Sequence, residues 1–434
     1  LTLSLPLPMG VTKFPIYIVL GIVFAAVSFV VLAMVIKKLN LMTPGRSAEW
    51  SAEVSGDANA LESSGTPEVD AKQQEMVQNI IDGLGGKDNI NTMGCCMTRL
   101  RVEVKDPNKV NEEIIKKASS ENKVGNWGLG NEYEIQALLS KYGLPTDYIT
   151  MDFTMDQIDK DTITLASAMT FNELGLIKNN YDGGYNYGDE IGVIDMNDEG
   201  VAMLEDNLFC TKEFAKNNPN TVKAFVAASM KGWTYACEHP DEAAEIVFKY
   251  GSSVSADHQK YMASEVAKLV TTDTKGNAVS ASDVGKMDED AMQQTLDLAK
   301  QYIKLDDATA ADKLAKLTLD DIRSSDYLTY DGGAVEKSDL KVQLKWLPQA
   351  QFMGYYVALD KGYYKDNGLN VEIVSGGGDV SETVAVSNGT VDFGVTWVSN
   401  LINANAGGME LLEVAQVYQR SGLVLCYKKS RFTK

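Results

Sequence analysis

Cys96 stands two residues before Thr98 and close to Arg99 and Arg101. Cations beside a thiol lower its pKa and pair with phosphate oxygens, so a thiolate here could accept a phosphoryl group and hand it on. A small buried core cysteine is the competing reading. Far downstream, Trp346 closes the strand-like LKVQLKW and is followed by Pro348, Gln349 and Gln351. A flat ring could stack on that indole while the two amides bond ring nitrogens; the alternative is an indole packed in a core. Trp397 ends another strand-like run, TVDFGVTW, and offers a second aromatic wall. Gly376, Gly377 and Gly378 precede Asp379, where backbone N–H groups could face a phosphate or polar tail, or where the chain simply turns.

Composition removes several other chemistries. The 434 residues carry 40 Lys and Arg against 60 Asp and Glu, a net charge of -20, which argues against nucleic acid as a partner. Five cysteines without a CxxC pair form no disulfide framework, and two histidines, His239 and His258, disfavour a metal site or a Ser-His-Asp triad. No metal and no cofactor is expected.

The elements that must carry these residues differ along the chain. Phe14 to Ile36 is a run of 23 uncharged residues, roughly 35 Å as a helix rising ~1.5 Å per residue, and is read as a transmembrane helix rather than a signal peptide. Lys37, Lys38 and Arg46 follow it, so the positive-inside tendency puts the downstream chain in the cytoplasm. With Leu1 first and one span, the sequence reads as the tail of a larger membrane protein. Residues 46–71, rich in Ser, Ala, Gly and acids, read as a linker. Met76, Ile80, Ile81 and Leu84 then keep helical spacing up to Gly85 and Gly86, CMTRLRVEV alternates as a strand, and Val110, Ile114 and Ile115 resume a helix.

The segment KQQEMVQNIIDGLGGKDNINTMGCCMTRLRVEVKDPNKVNE resembles the B domain of glucose-family sugar permeases of the bacterial phosphotransferase system. The motif is LGG-x-x-NI followed by Cys-x-Thr-Arg-Leu-Arg. The preceding helix, ending IKKLNLMTPGR, is similar to the close of the adjoining membrane domain, residues 1–45 here. The resemblance implies that Cys96 is the phosphocysteine, that Thr98, Arg99 and Arg101 surround the phosphoryl group, that Cys95 is a bystander, and that a phosphotransferase A domain is the partner. It covers residues 72–119, a partial B domain that stops before the later strands the family uses. Alternation along one continuous strand sets Cys96 and Arg99 on opposite faces, so their cooperation requires Cys96 to lie in a turn.

From Lys123 the pattern alternates between strands and helices, residues 201–330 are mostly helical, and the alternation returns at Leu340. Val222, Phe225, Val226, Ser229, Met230 and Trp233 keep one helical face and read as core. KWLPQAQFMGYYVALDKGYYKDNGLNVEIVSGGGDV with VDFGVTW resembles the opening of the pyrimidine- and thiamine-precursor-binding family of ABC-transporter substrate-binding proteins. VGNWGLGNEYEIQALLSKYG, ASAMTFNELGL and YGDEIGVIDMNDEGVAMLEDNLFCTKEFAKNNP are similar to that family's second half. The two halves stand in inverted order. The resemblance implies an α/β, two-lobed, type II periplasmic-binding (venus-flytrap) fold, circularly permuted: 124–200 as the second lobe, 201–330 as the C-terminal part of the first lobe, 331–339 as a linker, and 340–434 as the N-terminal part of the first lobe. GVAMLEDNLF is then the surviving covalent crossing between lobes, with the new break between the chain end and KVGNWG. A small heteroaromatic ligand and an ABC permease are the implied partners. Glu132 matches the family's carboxylate for an exocyclic amino group, with Asn131 beside it, although Glu in a first turn also suits the helix dipole. Glu173 and Tyr185 are further candidates on the opposite lobe, and Gly377 and Asp379 belong to the glycine loop. The eukaryotic relatives use an active-site histidine that has no counterpart here, which implies binding without chemistry.

The two halves of this reading disagree about topology. A phosphorelay belongs on the cytoplasmic side of the bacterial inner membrane, whereas the substrate-binding family works outside it. Joined fragments, an assembly chimera or an engineered fusion explain the chain better than one evolved machine, and the alternative function is a sugar permease component acting through Cys96.

Overall fold

A computed structural model describes residues 81–82, 86–96, 99–104, 124–251 and 254–431. The expected membrane helix at 14–36, the linker at 46–71 and Thr98 lie outside these residues. Among the described residues no helix is long and apolar enough to cross a membrane.

The cysteine segment is a hairpin rather than one strand. Strand β1 (Ile90–Cys96) pairs antiparallel with β2 (Arg99–Val104), setting Ile90 opposite Val104 and Cys96 opposite Arg99. The expected single strand from Cys96 to Val104 is corrected here, because reversal after Cys96 lets the two segments pair with each other's backbone groups. The objection from alternation applied to residues on one strand. Cys96 and Arg99 are instead cross-strand partners.

The remaining strands form two five-stranded sheets. In the first, β3 (Val124–Asn126) lies between β4 (Ile149–Thr150) and β5 (Leu165–Met169), parallel to both. Its other members are β6 (Ile191–Asp195) and β12 (Leu423–Lys428), in the order β4-β3-β5-β12-β6. The second sheet contains β7 (Asn207–Thr211), β8 (Asp339–Gln343), β9 (Asn370–Val374), β10 (Phe393–Thr396) and β11 (Leu411–Gln416), in the order β11-β7-β10-β8-β9. Every residue of β10 and β11 is buried, as expected where both faces of a sheet are covered.

Each sheet is thus assembled from both ends of residues 124–431. Strand β7 leaves the early part of the chain to pair with β10 and β11, while β12 inserts between β5 and β6, antiparallel to both. The chain therefore passes between the sheets twice, at 196–206 and at 417–422. The sequence reading provides only the first passage and keeps all of 340–434 with one lobe; the placement of β12 differs. Its physical reason is that Leu423, Val424, Leu425 and Cys426 are buried and their backbone is paired on both edges. Consequently Val124 and Lys428 belong to the same sheet, contrary to the expectation that a passage between lobes separates these two segments.

Helix Pro219–Glu238 starts with Pro in its first turn, where a missing N–H costs nothing, and buries Val222, Phe225, Val226, Ser229 and Trp233 on one face. It crosses helix Met353–Asp360 at very close range: a Cβ on Gly232 would lie 2.2 Å from the Gly354 carbonyl oxygen. Residues 331–339, expected as a linker, are tied down. The Glu336 carboxylate accepts the Asn220 and Thr221 N–H groups at 3.2 and 2.8 Å, while Thr221 Oγ1 accepts the Glu336 and Lys337 N–H groups at 2.9 Å.

Candidate functional site

The parallel strands of both sheets end toward one cavity of about 520 Å³, a size typical of small-molecule sites. Trp127 follows β3, Phe153 follows β4, and Phe171, Asn172 and Glu173 follow β5. From the other sheet, Lys345 and Trp346 follow β8, Gly377 and Gly378 follow β9, and Trp397 follows β10. Ligand crevices of open α/β sheets lie beyond the carboxyl ends of their strands, and this cavity has that position twice over.

Aromatic rings make its walls. The half-buried Trp346 meets Phe153 edge-on with centroids 4.9 Å apart, so a ring from each sheet meets across the cleft. Trp127 is fixed by its Nε1–H, which donates to the Asp152 carbonyl at 3.0 Å. Trp397 is buried beneath Lys345, whose Nζ sits 4.4 Å above the ring centroid.

Polar groups fill the floor. Lys345 pairs with Glu382 at 3.4 Å, and Glu382 also accepts the Thr396 hydroxyl. Gln351 Nε2 donates to Asp206 at 2.9 Å, its carbonyl accepts Tyr418 Oη at 3.1 Å, and its Oε1 accepts Gln349 Nε2 at 2.8 Å. Burial pushes Asp206 up to about 7, against the Gln351 hydrogen bond and the Lys345 charge. Both glutamines line the cavity, but these Nε2 donors are spent on its wall rather than directed at ring nitrogens.

Of the residues singled out from sequence, Trp346, Gln349, Gln351, Trp397, Glu173 and Gly377 share this cavity; Asn131, Glu132, Tyr185 and Asp379 do not line it. Glu132 Oε2 accepts the Gly130 N–H at 2.7 Å, a local role at the helix start. Tyr185 donates to Asp156 at 2.7 Å, Asp379 is exposed, and Asn131 is buried with no protein partner for its amide. The anion cradle is also corrected. The Gly376 and Gly377 N–H groups donate to the Trp346 and Lys345 carbonyls at 3.0 and 3.3 Å. A Cβ on Gly376 would lie 2.1 Å from the Leu344 carbonyl oxygen, so glycine is required there for backbone approach. Sequence reading missed Trp127, Phe153, Lys345 and Glu382, although three of these immediately follow, or lie close behind, strand ends.

Several carboxyl groups are buried within the body that carries the two five-stranded sheets. Burial pushes Glu173 to about 7 and Glu413 to about 8. Between the two passages, burial raises Glu134 and Glu205, and the charge of Glu134 raises Glu205 further. An acid that binds its proton more tightly when folded adds stability below its unfolded pKa of ~4, and that stability is lost as pH rises through the folded value. His258, lowered to about 4 by burial, acts in the opposite sense below its usual value of ~6.5. The acids outnumber it, so the melting temperature should fall as pH is raised from about 5.5 to about 8.5. Glu413→Gln should flatten that fall, since neither carboxyl oxygen has a hydrogen-bond partner; thermal unfolding across this range checks both.

Comparison with known proteins finds similarity in separate stretches of the sequence. The NMT1/THI5 like family matches residues 120–243 and 349–434, and the phosphotransferase system EIIB family matches residues 78–111. The N-acetylglucosamine-specific EIICB component of the PTS system of Bacillus subtilis (strain 168) is 40% identical over 121 residues, covering 27% of this chain and 24% of the relative. The N-acetylglucosamine-specific EIICBA component of Escherichia coli (strain K12) is 35% identical over 100 residues, 23% of this chain and 14% of the relative. The glucose-specific EIICBA component of Staphylococcus carnosus (strain TM300) is 32% identical over 166 residues, 38% of this chain and 21% of the relative. The chain therefore spans a quarter or less of the length of these relatives. Two family models thus match separate stretches of this one polypeptide, that of phosphotransferase system EIIB at residues 78–111 and that of NMT1/THI5 like at residues 120–243 and 349–434.

Proposed function

We propose that residues 124–431 bind a small planar heterocycle of the aminopyrimidine or thiamine-precursor class, in a permuted type II venus-flytrap fold that serves the permease of an ABC importer. The observation that carries this reading is the cavity between the two sheets, walled by Trp127, Phe153, Trp346 and Trp397 and floored by a few fixed charges. Flat aromatic walls gain from stacking on a flat ligand, and buried polar groups select among ligands by leaving mismatched ones unpaired. Residues 1–45 anchor the chain at the bacterial inner membrane in this proposal. Isothermal calorimetry of the full chain with 4-aminopyrimidine, riboflavin and glucose tests it. Saturable heat with a planar heterocycle and none with glucose is expected; heat with glucose alone would refute it.

A second reading concerns residues 72–119, as a partial B domain in which Cys96 takes a phosphoryl group from a phosphotransferase A domain, with Thr98, Arg99 and Arg101 around it. The pairing of Cys96 opposite Arg99 at the hairpin end favours it. Incubation with a phosphorylated A domain should leave acid-labile label on Cys96 and none on Cys96→Ser. Wild-type chain that remains unlabelled removes this reading.

A further inference from the structure

The two passages between the sheets, 196–206 and 417–422, are tied to each other by neutral hydrogen bonds. Asn197 Nδ2 donates to the Ser421 carbonyl at 2.9 Å, and the Val417 and Tyr418 N–H groups donate to the Asp206 carbonyl at 3.2 Å. Two carboxyl side chains join this tie. Glu205, in the first passage, accepts the Ser421 hydroxyl at 3.2 Å and the Gly422 N–H at 3.0 Å from the second. Glu134, from helix Glu132–Lys141, accepts the Met203 N–H of the first passage at 2.8 Å. One helix and both passages thus converge on two acids, each of them buried.

No cation answers these acids. Among the described residues no lysine, arginine or histidine forms an ion pair with Glu134, Glu205 or the adjacent Asp206; Arg420 of the second passage pairs with Asp195 at 3.3 Å, and Lys141 pairs with Glu199 at 2.8 Å. Asp206 accepts Gln351 Nε2, Glu132 accepts the Gly130 N–H, and Asp198 is exposed. Lys345, which draws Asp206 down, is itself paired with Glu382. The other elements packed here present neutral groups. From helix Glu289–Tyr302, Thr295 Oγ1 accepts the Leu204 N–H at 2.9 Å and Gln294 donates to the Ala202 carbonyl at 2.7 Å, while Glu289, Asp290 and Asp297 of that helix are exposed. Helix Ala256–Thr271 brings Leu269, which would lie 2.9 Å from a Cβ on Gly422. Tyr418, neutral through burial and the charges of Asp206 and Glu205, donates to the Gln351 carbonyl.

Burial raises both acids, the charge of Glu134 raises Glu205 further, and that of Asp195 adds to the rise of Glu134. Two carboxyl groups in one desolvated place cannot both ionise without penalty, so they titrate as a pair that retains a proton. We propose that Glu134 and Glu205 form a proton-dependent latch on the crossing between the sheets: the pair keeps one proton in the observed arrangement, and raising the pH forces a second negative charge into it and loosens both passages together. The sign follows from linkage, since an acid that holds its proton more tightly in one arrangement favours that arrangement at low pH and ceases to do so as pH rises through its raised pKa. A ligand held between the sheets would be released more readily at the higher pH, but the latch does not rest on what the cavity binds.

Hydrogen exchange of the free full chain at about pH 6 and about pH 9 tests this, each segment being compared with its own unprotected rate at the same pH. Protection in 196–206 and 417–422 should fall together by about tenfold or more, while β10 and β11 change by less than about threefold. Glu134→Gln and Glu205→Gln each place a neutral amide where the protonated acid stands, and each should flatten that fall. Glu413→Gln removes a buried acid outside both passages and should leave the fall as in the wild type. Protection that stays constant across this range, that falls equally throughout both sheets, or that falls undiminished in both the Glu134 and Glu205 variants overturns the proposal. Failure of both of these variants to fold at about pH 6 also overturns it, because their amides reproduce the charge of the latched state.

Discussion

Trp346→Ala should lower affinity for 4-aminopyrimidine by about tenfold to about a hundredfold, since stacking of a base on an aromatic side chain contributes ~1–3 kcal/mol. Trp346 supplies one wall, stands half-buried at the end of β8, and meets Phe153 of the opposite sheet at 4.9 Å. Its loss removes the flat surface and also opens the contact between the two sheets at the cavity mouth. Folding should be little affected, because the indole is not among the fully buried core side chains such as Trp233. Glu132→Ala is the contrasting variant. Its carboxylate serves the Gly130 N–H outside the cavity, so affinity should stay within about threefold, a stability effect only being expected from a lost first-turn acid. Calorimetry beside thermal unfolding separates the two outcomes. An unchanged affinity for Trp346→Ala would reject the aromatic wall.

Ending the chain at Arg420 should abolish folding of the first sheet. The deletion removes β12, which pairs with β5 on one edge and β6 on the other. It also removes the buried aliphatic side chains of Leu423, Val424 and Leu425, together with the buried Cys426. At ~1.5–3 kcal/mol for each buried aliphatic side chain, the loss is roughly 5–9 kcal/mol, comparable to the whole stability of an ordinary domain at ~5–15 kcal/mol. The Glu205 carboxylate would lose the Ser421 hydroxyl and the Gly422 N–H, its two partners at 3.2 and 3.0 Å. A desolvated carboxylate without partners is a further penalty. The expected result is loss of the cooperative transition and of ligand binding together. A truncated chain that retains both would contradict the interleaved sheets.

What the sequence made legible follows from what is local in the chain. LKVQLKW and TVDFGVTW declare strands by alternation and place Trp346 and Trp397 just beyond their ends, which is where the cavity lies. Glu173 was equally findable, because it follows a strand-like run and opens a short helix. Trp127 and Phe153 went unnoticed because a ring after a strand becomes a wall only when another sheet faces it. The Lys345–Glu382 pair joins residues on separate elements, and no spacing rule connects them. The same limit explains β12: LVLCYK announces a strand but not which sheet receives it, since pairing is decided by the unpaired edges of β5 and β6 in three dimensions. The hairpin at Cys96 was misread for a related reason, as alternation continues smoothly through a reversal that the pattern does not mark.

In the proposed site one ligand is held at once by two blocks of sequence that the chain keeps more than a hundred residues apart. Hydrogen exchange of the full chain, followed by mass spectrometry with and without saturating 4-aminopyrimidine, tests this most directly. Slowed exchange should arise together in residues 127–131 and 169–173, at the strand ends of the first sheet, and in residues 345–352 and 397–403, beyond the strand ends of the second. Protection confined to one of these blocks, with the other exchanging as in the free chain, would contradict it.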